Sequence, residues 1–281
     1  MLRTRSILRV LSPSDRDAAL ELCAQDVAAN VFVAARIIEN GLDSRAGTVL
    51  GRRTDGDLDS LVWASANIVP VALDREAWGL YAERLRRWRS RTASVLGPAD
   101  QVLGLWEDLE PGWGPARAVR SRQPVLGTRV PPSARGIDAH PLVRPARPDE
   151  VDLVLPAAEH MFTGEIGYRP YVGSARAYRQ SLRGLIEAGR TYVIVDAGRV
   201  IFKADVGSVA LGCAQLQGVW VAPDLRGRGL AVPAMAAVVE QVMNDHAPFV
   251  TLYVNDFNVP ALATYARIGM TPVGTYATVL L

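Results

Sequence analysis

A chain of 281 residues with 49% apolar and 21% charged side chains has the composition of a soluble globular protein, not of a segment too polar to fold. Its length suits about two domains, each able to bury a core. The formal net charge of +2 speaks against a dedicated nucleic-acid binder, and no apolar stretch reaches the ~18 residues of a membrane span.

Among the 31 basic residues only Lys203 is a lysine, so arginine clusters carry less information than in a balanced sequence. Cys23 and Cys213 are far apart and match no metal or redox spacing, which reads as two buried thiols and no bound metal. The basic start "MLRTRSILRVLSPSD" has an apolar run far shorter than the ~7–15 residues of a signal core, and a reducing cytoplasm is the expected location.

The first half reads as strand "SILRVL", helices "PSDRDAALELCAQ" and "NVFVAARIIEN", and strands "TVLGRR" and "SLVWASANIVPV". Helix "DREAWGLYAERLRRWRS", strand "TASVLG" and helix "PADQVLGLWEDL" follow. Leu109 to Glu150 is rich in proline, glycine and arginine, shows neither period, and is read as holding a domain boundary. After it come a short strand at "LVRP", a helix from about Asp149 and a second helix ending at Gly189. A hairpin turns at Asp196-Ala197-Gly198, "ALGCAQLQGVWVAP" adds a third strand, and helix "LAVPAMAAVVEQVMNDH", strand "FVTLYV", helix "NVPALATYARIG" and strand "TPVGTYATVLL" close the chain. The expected partition is a domain at 1–125, a linker at 126–141 and a domain at 142–281. The order β-α-α-β-β-β-α-β-α-β recurs weakly in the first half, as in an internal duplication of an α+β fold with mixed sheets.

Chemistry concentrates in Val219 to Met235, "VWVAPDLRGRGLAVPAM". A strand running into a helix leaves the first helical N–H groups unpaired at the positive end of the helix dipole, which suits an anion. Gly227 and Gly229 let the turn adopt unusual dihedrals and let a ligand approach the backbone, while Arg226 and Arg228 add charge at the rim. Pro233 is harmless in the first turn, so the donors from Arg226 to Ala231 stay available. The phosphate loop G-x-x-x-x-G-K-[ST] lacks its lysine here, and the dinucleotide fingerprint fails because Val232 follows Ala231.

By contrast, "VWVAPDLRGRGLA" resembles the acyl-CoA pyrophosphate loop of the GCN5-related N-acetyltransferase (GNAT) superfamily, V-x-V-x-P-x-x-R-G-x-G-x-[AG], at every specified position. Leu252 to Met270 is similar to the superfamily's distal segment: Asn258, Ala261, Tyr265 and Gly269 fall in register, and Met270 replaces the usual aromatic. The whole chain further resembles an actinobacterial-type tandem group in which a poorly characterised domain precedes the acetyltransferase half. The resemblance implies two GNAT-like domains, the N-terminal one degenerate: its counterpart of the loop, "ANIVPVALDREAWG", has no glycine before the helix, and Asp74 would repel a pyrophosphate.

The resemblance also implies a reaction, acyl transfer from acetyl-CoA to an amine without a metal. Val219, Trp220, Val221, Arg226, Gly227, Arg228, Gly229, Leu230, Ala231, Asn258 and Tyr265 are the expected cofactor contacts. Of these the Val221 N–H would polarise the thioester carbonyl and Tyr265 would protonate the leaving thiolate. Many relatives carry glutamate on the central strand, where this chain has Gln215 and Gln217. Without that base, neutralising a lysine-like amine of pKa ~10.4 at pH 7.5 costs about 4 kcal/mol, against under ~1 kcal/mol for an α-amine. Glu165 is the best substitute base; Asp205 beside Lys203 reads as a surface ion pair, and His160 is the only histidine near the expected cleft.

The expected partners are acetyl-CoA and an amine acceptor, with no membrane, nucleic acid disfavoured and an oligomer compatible with the sequence. Protein N-termini, lysines, antibiotics and small metabolites are all compatible acceptors. Two other readings stay open. The missing strand carboxylate suits a non-catalytic acyl-CoA sensor, and the arginine run Arg84 to Arg91 suits an aminoacyl-tRNA-dependent transferase.

Overall fold

The computed structural model describes residues 6–42 and 46–281; the basic Met1–Arg5 lies outside them. Contacts divide the chain into two units. The first comprises Met1–Val125, Tyr253–Phe257 and Pro272–Leu281, and the second Leu126–Leu252 and Asn258–Thr271.

In the first unit the order is β1 (Ser6–Val10), α1 (Arg16–Ala24), α2 (Val27–Asn40), β2 (Thr48–Thr54), β3 (Asp57–Ala64), β4 (Asn67–Val71), α3 (Arg75–Leu85), β5 (Ser94–Pro98), α4 (Ala99–Trp113) and most of β6 (Ala118–Thr128). β1 to β4 form an antiparallel meander, and the α3 crossover returns β5 parallel to β4. The second unit repeats this order with β7 (Arg144–Pro145), α5 (Val151–Ile166), α6 (Arg176–Glu187), β8 (Thr191–Asp196), β9 (Arg199–Ala210), β10 (Cys213–Val221), α7 (Ala231–Asp245), β11 (Phe249–Tyr253) and α8 (Val259–Arg267). Here too the meander is antiparallel, and the α7 crossover returns β11 parallel to β10.

The last strand, β12 (Thr271–Leu280), departs from the sequence partition. It pairs antiparallel with β5 from Tyr276↔Pro98 to Leu280↔Ser94, so residues 272–281 belong by contact to the first unit, not to a block at 142–281. The cause is burial: Ala277 and Val279 fill the core that holds Val62, Tyr81, Val95 and Leu105. Thr278 donates to Gln123 at 2.6 Å, and Gln123 donates to Asn255 at 2.9 Å; all three are buried, which ties residues 253–257 to the same unit. Strand β6 was not expected from the sequence. Its first five residues are mostly exposed, giving no alternation, and Pro124 and Gly127 look like breakers.

A repeated device opens both units and is the clearest internal evidence of duplication. Arg9 on β1 makes a two-pronged pair with Asp15, six residues on, at 2.8 and 2.7 Å; Arg144 on β7 does the same with Glu150 at 2.7 Å for both prongs. Each carboxylate also accepts the backbone N–H three residues before it, Ser12 and Arg147, at 2.8 Å. Pro13 and Pro148 start the intervening 3-10 turn. The device fixes the angle at which the first helix leaves the first strand.

Arg144 foremost, with the Arg147 amide, holds the Glu150 carboxyl down at about 2. A carboxyl depressed on folding stabilises above its unfolded pKa, ~4.3, and that stability is lost as pH falls toward the folded value. Glu150→Gln is therefore expected to lower stability at pH 7 by roughly 1–3 kcal/mol and to match the wild type near pH 2. Urea denaturation at the two pH values checks this.

Candidate active site

Strand β10 parts from its parallel neighbour. The β10–β11 register runs from Cys213↔Phe249 only to Leu216↔Leu252, while β10 continues to Val221. Along β9 the pairing persists but slips between Gln217↔Asp205 and Trp220↔Lys203, a bulge in which Gly218 takes φ +60°. The Ala222 N–H donates to the Ile201 carbonyl at 2.9 Å. By strand alternation the Val221 N–H then faces the opposite, unpaired edge. Val219, Trp220 and Val221 are all half-buried along this stretch.

The loop after β10 supplies the donors. Pro223–Leu225 make a 3-10 turn that uses the Arg226 N–H, at 3.3 Å to the Pro223 carbonyl, so the open amides run from Gly227 to Val232, one residue later than expected. Gly227 and Gly229 adopt φ +73° and +82°, with open space where a Cβ would stand. The first helical bond is Ala234 N–H to Leu230. Leu230 and Ala231 thus present an uncapped helix end. Arg226 folds its Nε onto the Val221 carbonyl at 3.1 Å, and Arg228 stays exposed. Asp224 would oppose an anion here, but Arg199 clamps it at 3.2 and 2.6 Å and holds its carboxyl below the usual range.

Asn258 caps α8, accepting the Ala261 N–H at 3.3 Å. Gly269, at φ +85°, ends the helix where the Arg135 side chain crosses it. Tyr265 on α8 is 6% exposed. Burial, and secondarily the Glu165 carboxylate, push its phenol well above the usual range. Two sequence candidates thus lie within electrostatic reach of each other. Glu165 sits in the last turn of α5 rather than in a loop, and is exposed.

Other expectations need correction. Lys203 and Asp205 are no surface pair: on β9 they are 0% and 5% exposed, they form a close ion pair, and Thr191 donates to Asp205 at 2.9 Å. Gly218 roofs this pair, since a Cβ there would stand 3.0 Å from Asp205 Oδ2 and 3.3 Å from Lys203 Nζ. His160 Nδ1 accepts a hydrogen bond from Trp220 Nε1 at 3.0 Å, so the neutral ring carries its proton on Nε2. It can take a proton at Nδ1 only by giving up Trp220. The Arg84–Arg91 run is partly engaged: Arg89 donates to the Trp113 carbonyl and Trp113 to that of Arg86. In the first unit Asp74 caps α3 through the Ala77 N–H at 2.9 Å and pairs with Arg52 at 3.2 and 2.9 Å, which puts a carboxylate at the helix entry.

Residues 157–270 match the model of the acetyltransferase (GNAT) family, and residues 47–154 a domain of unknown function, DUF4081. A GCN5-related N-acetyltransferase from Sphaerobacter thermophilus superposes with TM-score 0.64 at 17% identity, covering 99% of this chain and 96% of that one. A tandem GNAT protein from the clavulanic acid biosynthesis pathway gives 0.59 at 15% identity, with 98% of both chains covered. A GNAT-family acetyltransferase from Colwellia psychrerythraea gives 0.55 at 12%, covering 98% and 99%. The chain is similar to these in fold, as two GNAT-like units in tandem. No curated protein matches it.

Removing one partner of a buried ion pair leaves the other uncompensated, so Lys203→Met is expected to cost roughly 3–5 kcal/mol. Replacing both partners, Lys203→Met with Asp205→Leu, is expected to recover part of the loss; chemical denaturation of the three proteins checks it.

Proposed function

From the match of residues 157–270 to the acetyltransferase (GNAT) family, we propose that the second unit transfers an acetyl group from acetyl-CoA to a primary amine. The observation that carries the reading is the run of open amides from Gly227 to Val232 beside the unpaired edge of β10. Gly227, Gly229, Leu230 and Ala231 would bind the pyrophosphate through N–H groups, with Arg226 and Arg228 at its rim. Val219, Trp220 and Asn258 would flank the pantetheine.

At the reacting end the Val221 N–H would donate to the thioester oxygen, a contribution of about 3–4 kcal/mol if it strengthens as the oxyanion forms. Tyr265, kept protonated through neutral pH by its burial, would give its proton to the departing sulfur. Glu165 would take the amine proton. With neither Gln215 nor Gln217 able to do so, the site suits a weakly basic amine such as an α-amine. The first unit, with Asp74 at its helix entry, would bind no CoA. Acetyl-CoA binding without thiol release in any amine would instead favour a sensor.

Thiol release with a panel of amines tests the reading. At pH 7.5, α-amines are expected to react faster than lysine-like amines, and Tyr265→Phe to slow turnover by less than ~10⁴-fold. Glu165→Gln is expected to move the rising limb of the pH–rate profile toward the amine's own pKa; an unmoved limb would remove Glu165 from the mechanism.

A further inference from the structure

The last two turns of α5 border the reacting end of the second unit through three contacts. Met161 Cε lies 3.2 Å from where a Cβ on Gly218 would stand, His160 accepts from Trp220 of β10, and the Glu165 carboxylate lies within electrostatic reach of Tyr265. A side chain beside these turns would therefore meet the substituent of an amine that approaches the thioester.

The side chains found there are aromatic. Phe162 of α5 packs edge-to-face with Tyr168, in the segment between α5 and α6, at 5.9 Å, and with Tyr178 of α6 at 6.1 Å. Two hydroxyls fix the arrangement: Tyr178 donates to the Ala158 carbonyl at 3.1 Å and Tyr171 to Glu159 at 2.6 Å, which ties α6 and the connecting segment to α5. The rings stay accessible, with Phe162 and Tyr178 half-buried and Tyr168 48% exposed. A fixed, accessible set of rings favours one more ring, because edge-to-face contact adds to the burial of apolar surface.

Charge narrows the ligand further. Glu159 and Glu165 stand three residues to either side of Phe162, neighbours of it along one flank of the helix, while the Arg169 guanidinium acts on Tyr171 in the connecting segment. An ammonium beside the Phe162 ring thus has a carboxylate on each side as well as the ring face. We propose that Phe162, Tyr168 and Tyr178 hold the side-chain ring of the acceptor, with its nitrogen toward Glu165, so that the substrate class is a small aromatic α-amine. The inference rests on the acetyl-transfer reading for the fate of the amine, and not for its binding.

Saturation-transfer NMR on the full chain, without acetyl-CoA, tests this with phenylalaninamide against alaninamide, which lacks the ring, and hydrocinnamamide, which lacks the amine. Phenylalaninamide is expected to bind at least tenfold more tightly than either. Phe162→Ala is expected to weaken it about tenfold and Tyr168→Ala at least threefold, each with little effect on alaninamide. Tyr168→Ala is the safeguard if Phe162→Ala folds poorly, since that side chain is already 48% exposed. Circular dichroism melts confirm folding of each variant. Equal binding of the three compounds, or undiminished selectivity in a folded Tyr168→Ala protein, would overturn the proposal. Thiol release separates it from the reading beneath it. Selective binding of phenylalaninamide with no thiol release would uphold the ring site and count against acetyl transfer alone; release as fast with alaninamide as with phenylalaninamide would overturn the ring site and leave acetyl transfer standing.

Discussion

The separation of β10 from β11 after Leu216 is the constraint on which the site depends. A strand paired on both edges has no free amides, and this one keeps its β9 edge while releasing the other, so that Val221 and the loop amides point into open space. The bulge at Gly218 accommodates the change of course. Beneath it lies the Lys203–Asp205–Thr191 network, a buried polar cluster in which Asp205 accepts from both partners, under the strand that would hold the thioester. Such a network is costly to break, which makes the position of the bulge hard to shift.

The two units share one architecture and differ at one helix entry. Both open with the same arginine–carboxylate device and both return a parallel strand beside the fourth strand of the meander, so the backbone plan is shared. What differs is the helix entry after the fourth strand. In the second unit two left-handed glycines precede an uncapped helix; in the first, Asp74 occupies the corresponding end with its own negative charge and is held by Arg52. On the proposed reading, a single carboxylate at a helix N-terminus would decide between an anion site and a closed cap.

Much of this was legible in the sequence because it rests on local rules. Gly227, Gly229 and Pro233 specify the loop by backbone freedom alone, Asn258 is a cap by its side chain, and Asp74 likewise. The failures share a cause, since each depends on partners distant in the chain. The burial of β12 in the first unit follows from a core that sequence spacing does not reveal. Exposed residues and Pro124 hid β6. The charged pair Lys203 and Asp205 looked like surface because charge on a strand usually is, and only β8, β9 and the Gly218 bulge together show it enclosed. The arginine–carboxylate repeat was visible as spacing but meant nothing until the geometry joined it.

Calorimetric titration of the full chain with acetyl-CoA tests the central claim most directly. The account predicts one site per chain, abolished by Gly229→Glu, because only the second unit has an open amide loop beside a parted strand. Two sites per chain would contradict the assignment of Asp74 as a closed cap, and binding that survives Gly229→Glu would contradict the loop itself.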